Sequence, residues 1–138
     1  MKFIIHAAPK PKGRPRVTRS GHAFTPEATR EYEELIANEW NSQWGGIEPT
    51  ENPVSVRVEF YMAIPKSTSK KAKERMAAGI EVPAKKPDID NLLKAVLDGL
   101  NQKAYKDDKQ ILEITAIKRY SSTPRTEVHI AGFENNHN

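Results

Sequence analysis

The stretch that decides the fold is DIDNLLKAVLDGL, residues 88–100 of the chain. Its apolar residues recur every three or four positions, which predicts a helix from Asp88 to about Asn101 with one broad buried face. Asp90, Lys94 and Asp98 follow one another at four-residue spacing on the opposite side. The pattern therefore predicts a helix that packs firmly on a sheet and presents two carboxylates and a lysine to solvent.

The segments around this helix favour an α+β fold. Residues 53–62 alternate apolar and polar side chains, which is typical of a half-buried strand. The order of the elements indicates a mixed β-sheet of about four strands with helices packed on it. We expect a single domain over residues 1–134 and a frayed C-terminal tail at residues 135–138. Strands are predicted at residues 2–8, 53–62, 111–121 and 126–132, and helices at residues 26–44, 66–78 and 88–101.

The composition excludes several classes of site and of protein. The chain has 138 residues, enough for a buried core without covalent cross-links, and it has no cysteine. Thiolate zinc sites, cysteine nucleophiles and disulfides are therefore excluded. No apolar run approaches the roughly 18 residues of a membrane span, and the segment at residues 1–6 is too short for a signal peptide. We expect a soluble protein of the cytoplasm.

The positive charge is concentrated near the N-terminus. The net charge is +4, but six basic residues precede the first acidic one, Glu27, and the rest of the chain has 16 basic against 18 acidic residues. This asymmetry favours a polyanion partner, with a solvated basic loop as the alternative. Prolines and glycines predict an extended loop at residues 9–23. The predicted DNA-binding residues are Lys10, Lys12, Arg14, Arg16 and Arg19, with Lys85 and Lys86 just before the acidic residues.

A second acidic pair, Asp107-Asp108, follows the helix at a spacing that suits a metal site. If the strand at residues 111–121 lies beside the helix, this pair can reach Asp88 and Asp90 at the helix start. Converging carboxylates repel one another without a cation, and their oxygens suit Mg²⁺ or Mn²⁺, ions that serve phosphodiester hydrolysis. Lys94 is then placed to hold a phosphate oxygen or to offset charge in the transition state.

Each of these residues also has a purely structural interpretation. Asp88 stands where an N-cap aspartate belongs, and Asp90 in the first turn suits the helix dipole. Asp90, Lys94 and Asp98 can form surface ion pairs worth a few tenths of a kcal/mol. Taken singly the residues favour these roles, but their combination favours a metal site. The four histidines show no metal-ligand spacing, so none is assigned a catalytic role.

Motifs spread over most of the chain resemble the RusA family of Holliday junction resolvases, particularly its phage and prophage members. The resemblance implies a small homodimeric endonuclease of bacterial cells that makes paired, Mg²⁺-dependent nicks in four-way DNA junctions during recombination and repair. The motifs are KPDIDNLLK at residues 86–94, Asp98, Asp107-Asp108, KPKGRPR at residues 10–16 and Thr25-Pro26.

Carried over by position, the resemblance implies that Asp88, Asp90 and Asp108 are the catalytic, metal-binding acids and that Lys94 is the catalytic lysine. Only the second acid of the Asp107-Asp108 pair matches the essential family position. The chain departs from the shortest family members in a longer lysine-rich segment at residues 63–85. That departure bears on substrate preference more than on the chemistry.

Three functional hypotheses follow. The leading one is a metal-dependent endonuclease selective for branched DNA. The second is a non-catalytic branched-DNA-binding protein whose acids only cap a helix and form surface ion pairs. The third is a hydrolase of nucleotides or other small phosphate esters, which leaves the basic loop unexplained. Phe24 and Tyr105 are candidates to insert between bases at a junction centre.

Overall fold

The computed structural model of the protein describes residues 1–13 and 16–134. Arg14, Pro15 and the predicted tail at residues 135–138 lie outside the described residues. The four predicted strands and three predicted helices are all present. In chain order the elements are β1 (Lys2–Ile5), β2 (Arg16–Val17), β3 (Ala23–Phe24), α1 (Glu27–Trp44), β4 (Val54–Ala63), α2 (Lys70–Ala77), α3 (Ile89–Leu100), the 3₁₀ helix η1 (Asp108–Gln110), β5 (Ile111–Ser121) and β6 (Arg125–Gly132).

The N-terminal region differs in detail from the prediction. Strand β1 ends at Ile5, earlier than the predicted residue 8. The predicted extended loop contains a small hairpin, in which Val17 pairs with Ala23. Its turn is closed by Gly21, whose φ of 85° falls in the left-handed region that glycine adopts without a steric cost. The loop at residues 9–23 therefore contains a tight turn at Gly21 in addition to extended backbone.

The main sheet is mixed and has the strand order β1-β6-β4-β5. Strands β4 and β5 are parallel because the chain between them crosses over through α2 and α3, whereas β6 runs antiparallel to both β4 and β1. In this register Val58 lies between Ala116 and Val128. The fold is a single α+β domain of four sheet strands and three helices, as the sequence predicts.

The core lies between one face of the sheet and the helices α1 and α3. Helix α3 buries the apolar face that its periodicity predicts, including Leu92, Val96 and Leu100. The two helices cross closely at Gly99, where an added Cβ would stand 2.8 Å from Cδ1 of the buried Ile36. Helix α2, in contrast, has no buried residue. The start of α3 is thus held rigidly against the sheet, and α2 is a surface element.

Within the described residues, no helix combines the length and the apolar character that crossing a membrane requires.

Candidate active site

The start of α3 presents two exposed carboxylates. Asp88 occupies the N-cap position, with extended backbone angles, but its side chain makes no capping hydrogen bond. Asp90 lies in the first helical turn, beside the positive end of the helix dipole. In the described part of the chain neither residue forms an ion pair. The structural role available to Asp88, capping the helix, is therefore not the one its side chain performs.

The acidic pair after α3 divides into one structural and one free residue. The carboxylate of Asp107 accepts the N–H of Lys109 at 2.9 Å, and Gln110 completes a capping box by accepting the N–H of Asp107. The hydrogen bond from Lys109 is the larger of two contacts that hold the pKa of Asp107 below its ordinary value. The second is with the Asp108 side chain. Asp108 is exposed and, among the residues described, has no ion-pair partner. Asp108 is thus the member of the pair that neither caps η1 nor forms an ion pair in the described structure, and its side chain contacts that of Asp107.

Asp98 and Lys94 are linked by an ion pair on the exposed side of α3. Nζ of Lys94 lies 3.7 Å from Oδ2 of Asp98, and Nζ of Lys12 lies closer to the same oxygen, at 3.1 Å. Lys12 also donates to Glu33 on α1 at 2.8 Å. Burial lowers the pKa of Lys12, but these two carboxylates outweigh it and leave the pKa raised. Asp98 therefore joins the N-terminal loop to α3, while the side chain of Lys94, 63% exposed, is held only loosely.

The predicted three-acid set is not in contact in this arrangement. The ligand atoms of Asp88, Asp90 and Asp108 do not fall within 4.8 Å of one another in the described part of the structure. Asp108 follows Tyr105 by three residues, and the Tyr105 hydroxyl donates to the carbonyl of Leu97 near the C-terminal end of α3, away from Asp88 and Asp90. About 12 Å of helical rise separates Asp90 from Asp98. The three-ligand set therefore stays a prediction.

Tyr105 does not reach solvent. Its side chain is fully buried, and its hydroxyl donates to the carbonyl oxygen of Leu97 at 2.7 Å. The hypothesis that Tyr105 inserts into a junction is therefore wrong, because its aromatic ring belongs to the core. Phe24 is 47% exposed on β3, and its insertion stays a prediction.

Lys118, which no sequence pattern singled out, supports the segment before Asp88. This lysine stands beside Phe60 in the register of β4 and β5 and therefore projects from the helix-bearing face of the sheet. Its Nζ donates to the carbonyl oxygens of Lys85 at 2.7 Å and Pro87 at 2.8 Å. A lysine at a core-facing position of a strand is the one sequence signal that could have singled it out, since such a cation needs buried acceptors.

The N-terminal loop packs against the same end of α3. The backbone N–H of Lys12 donates to the carbonyl of Asn91 at 3.2 Å, and the N–H of Gly13 donates to Oγ1 of Thr29 at 2.9 Å. A groove between the loop and α3 is lined by Pro9, Pro11, Lys86, Pro87, Asp88 and Asn91. The loop and Asp88 thus line one surface.

The predicted DNA-binding residues differ in availability. Lys10, Arg19, Lys85 and Lys86 are exposed, whereas the ammonium group of Lys12 is engaged by two carboxylates. The prediction for Arg14 falls outside the described residues. For Arg16 only the backbone is described, as part of β2.

A second cluster of possible metal ligands, Glu59, Glu127 and His129, lies on the opposite face of the sheet. Glu59 and Glu127 are register partners on β4 and β6. Their carboxylates are already occupied by cations, at distances from 2.6 to 3.7 Å. This is an ion-pair network in which a metal ion has no free carboxylate to bind. The cations are Lys2, Arg57, Arg119 and Arg125.

Comparison with known proteins identifies the family. The family model described as Endodeoxyribonuclease RusA matches residues 6–131, a range that includes the N-terminal loop, α3 and η1. The chain is also 38% identical over 135 residues to a Bacillus subtilis (strain 168) protein named "Uncharacterized protein YqaN", a match that covers 94% of each chain. The protein therefore belongs to the RusA endodeoxyribonuclease family.

Proposed function

We propose that the protein is a Mg²⁺-dependent endonuclease that resolves four-way DNA junctions by paired nicks. Membership of the RusA family supports hydrolysis of DNA phosphodiesters. The observation that carries the proposal is a division among the five acids of α3 and of the segment that follows it. Asp98 and Asp107 are used in ion pairing and helix capping, whereas Asp88, Asp90 and Asp108 are exposed and, in the described residues, free of ion pairs.

The donor set suits a hard divalent cation. Asp88, Asp90 and Asp108 offer carboxylate oxygens without a competing lysine or arginine within 4.0 Å in the described structure, and Asp90 has the positive end of α3 beside it. These three residues are the proposed metal ligands, and Mn²⁺ is the expected substitute. Bound Mg²⁺ supplies Lewis-acid polarisation of the scissile phosphate and a more acidic water.

Lys94 is the proposed catalytic lysine. It projects from α3 between Asp90 and Asp98, and its 3.7 Å contact with Asp98 is weak because Lys12 lies closer to the same oxygen. Its ammonium group can therefore turn toward a phosphate at little cost. A positive charge at this position stabilises the charge that develops on the phosphoryl oxygens in the transition state.

Lys118 is a positioning residue. By donating to the carbonyls of Lys85 and Pro87 it holds the segment that leads into Asp88. The side chains of Lys85 and Lys86 remain exposed and can contact DNA phosphates beside the acids. A positively charged segment next to the proposed metal ligands brings a phosphodiester to them.

A homodimer fits this substrate. A four-way junction has near two-fold symmetry, so a dimer with a two-fold axis places one active site on each of two opposed strands. Nicks made at symmetric positions then separate the junction into two duplexes, each with a single nick.

The experiment that tests the proposal is cleavage of an immobile synthetic four-way junction, with and without Mg²⁺, beside a linear duplex. The Asp90→Asn variant removes a proposed ligand. Glu34→Gln is the matched control, because it removes one carboxylate from the exposed side of α1. We expect symmetric nicks near the crossover that require both Mg²⁺ and Asp90 and persist in Glu34→Gln. Tight junction binding without cutting in any divalent metal would leave the non-catalytic branched-DNA-binding hypothesis.

A further inference from the structure

Helix α2 and the residues before it carry an unusual excess of positive charge. Between residues 66 and 75 there are five basic residues and one acidic residue, Glu74. Arg75 is engaged by Glu81, through its Nε at 2.9 Å and a second guanidinium nitrogen at 2.7 Å. The other four basic residues form no ion pair within the described residues. They are Lys66, Lys70, Lys71 and Lys73.

Burial in the core does not account for the stability of α2. None of its eight residues is buried, and its main stabilising feature is the N-cap Ser69, whose side chain accepts the N–H of Ala72. A helix of this length is marginal by itself in water, and most helices gain their stability by burying an apolar face. The three lysines within the helix, Lys70, Lys71 and Lys73, repel one another and make it less stable still. A site for an anion gives these residues a role that packing does not.

Three of the four lysines line one groove. The groove runs between α2 and the turn that joins β5 to β6, and Glu74 is the one acid that the described structure places in its lining. On the far side Oγ of Ser121 accepts from the N–H of Thr123 at 3.0 Å and from Arg125 at 3.3 Å, which leaves its own O–H as a donor. The polar lining residues are Lys66, Lys70, Lys73, Glu74, Ser121 and Ser122, and the remaining four, which include Ile64 and Pro124, are apolar.

The groove lies at the same end of the sheet as the proposed active site. Lys118, which contacts the carbonyl of Pro87, precedes Ser121 by three residues on β5. Three residues of strand span about 10 Å. Along one strand of a duplex this length corresponds to about three nucleotides at 3.4 Å each. Ser121 and Lys118 lie on opposite faces of β5, which is an edge strand of the sheet, so a DNA strand reaches the groove from the active site by passing over this edge.

We propose that the groove between α2 and the β5–β6 turn binds the phosphate backbone of a DNA arm next to the cleavage point. This inference rests on the proposed function, because it takes DNA as the substrate. Lys66, Lys70 and Lys73 contact successive phosphates, and the Ser121 and Ser122 hydroxyls donate to the same backbone. Such contacts set the position of the arm and carry no base specificity.

The test is the salt dependence of DNA affinity for a variant with Lys66, Lys70 and Lys73 all replaced by glutamine. Affinities for a four-way junction and for a linear duplex are measured without Mg²⁺ over a series of salt concentrations. The control variant carries Arg30→Gln, Lys71→Gln and Lys106→Gln, which remove the same charge outside the groove lining. Lys71 lies on α2 itself, so the control also contains a lysine of the same helix. Circular dichroism checks that each variant is folded.

The expected result is a slope of log affinity against log salt that is lower by about 2.7 in the groove variant. The wild type then loses about 40-fold more affinity than the groove variant between about 50 and 200 mM salt. The control variant keeps the wild-type slope. Equal losses in both variants would show a general charge effect and overturn the inference, as would an unchanged slope in the groove variant.

The duplex measurement separates this inference from the proposed function. If the wild type binds both DNAs through the groove and cuts neither, the groove stands and the nuclease proposal fails. If it cuts the junction and the groove variant keeps its slope, the nuclease proposal stands and the groove fails. A wild type that binds neither DNA overturns both.

Discussion

The ammonium group of Lys118 lies 2.8 Å from the carbonyl oxygen of Pro87, the residue immediately before Asp88. The same ammonium group donates to the carbonyl of Lys85 at 2.7 Å. One side chain on β5 thus ties together the two ends of the short segment that delivers Asp88 to the start of α3. Two residues that stand 31 positions apart in the chain, one on β5 and one just before α3, are joined at the proposed active site.

Replacement of Lys118 by methionine should slow junction cutting by roughly 10- to 100-fold, the range for residues that support metal ligands. The segment before Asp88 loses both hydrogen bonds, so the Mg²⁺ concentration for half-maximal rate should also rise, while junction affinity without Mg²⁺ stays close to that of the wild type. Lys118→Arg keeps a donor and should recover part of the rate. Arg119→Met, on the opposite face of the sheet, is the control. Identical Mg²⁺ dependence in Lys118→Met and Arg119→Met would rule out the positioning role.

The two members of the second acidic pair should respond differently to removal of their charge. Asp108→Asn should reduce cutting by more than the roughly 10- to 100-fold that loss of a supporting residue costs, without lowering the unfolding midpoint. Asp107→Ala should retain most of the cutting activity and lower the unfolding midpoint, because it removes the cap of η1. Single-turnover cleavage and urea unfolding of both variants measure the two effects. Loss of cutting in the Asp107 variant together with loss of stability in the Asp108 variant would contradict these separate roles.

Gly13 allows the N-terminal loop to approach α1. An added Cβ would stand 2.5 Å from Oγ1 of Thr29, the atom that accepts the Gly13 N–H at 2.9 Å. We expect Gly13→Ala to lower the free energy of unfolding by about 1–3 kcal/mol, a range typical of overpacking, and to weaken DNA binding because the loop shifts. Gly132→Ala is the matched control, since its Cβ meets nothing within 4 Å. Equal stability of the two variants would show that the close approach at Gly13 is not required.

Glu127 should make stability dependent on pH in the acid range. Burial raises its pKa, but hydrogen bonds from Arg125 and Lys2 outweigh burial, so the pKa in the folded protein lies below the ordinary value of 4.5. A lowered carboxylate pKa contributes stability that is complete above the unfolded-state pKa and is lost as pH falls through the folded-state pKa.

The wild type should therefore lose stability more steeply below about pH 4.5 than a Glu127→Gln variant. Urea unfolding at a series of pH values measures the difference, and Glu34→Gln, an exposed residue without an ion pair in the described structure, should keep the wild-type profile. Parallel curves for the wild type and Glu127→Gln would show that Glu127 gains no net stabilisation from Arg125 and Lys2.

Much of the fold follows from local patterns in the chain. The spacing of Leu92, Val96 and Leu100 predicts α3 and its buried face, and the alternation from Val54 to Phe60 predicts β4. Such patterns are reliable because 3.6 residues per helical turn and two per strand repeat follow from backbone geometry alone. The small hairpin of β2 and β3 escaped prediction, because two paired residues per strand are too few to produce an alternation.

The sequence by itself determined the family, the sheet and helix order, and the five acids from which a site can be built. Tertiary structure decided what each acid does: Asp98 pairs with Lys12 of the N-terminal loop, Asp107 caps η1, and Asp88 has no capping role. It also brought the ammonium group of Lys118 within hydrogen-bonding distance of the Pro87 carbonyl oxygen. The physical reason is that periodicity assigns a residue to a face of its own element, whereas its partner depends on which distant segment the packing of the core brings within hydrogen-bonding distance.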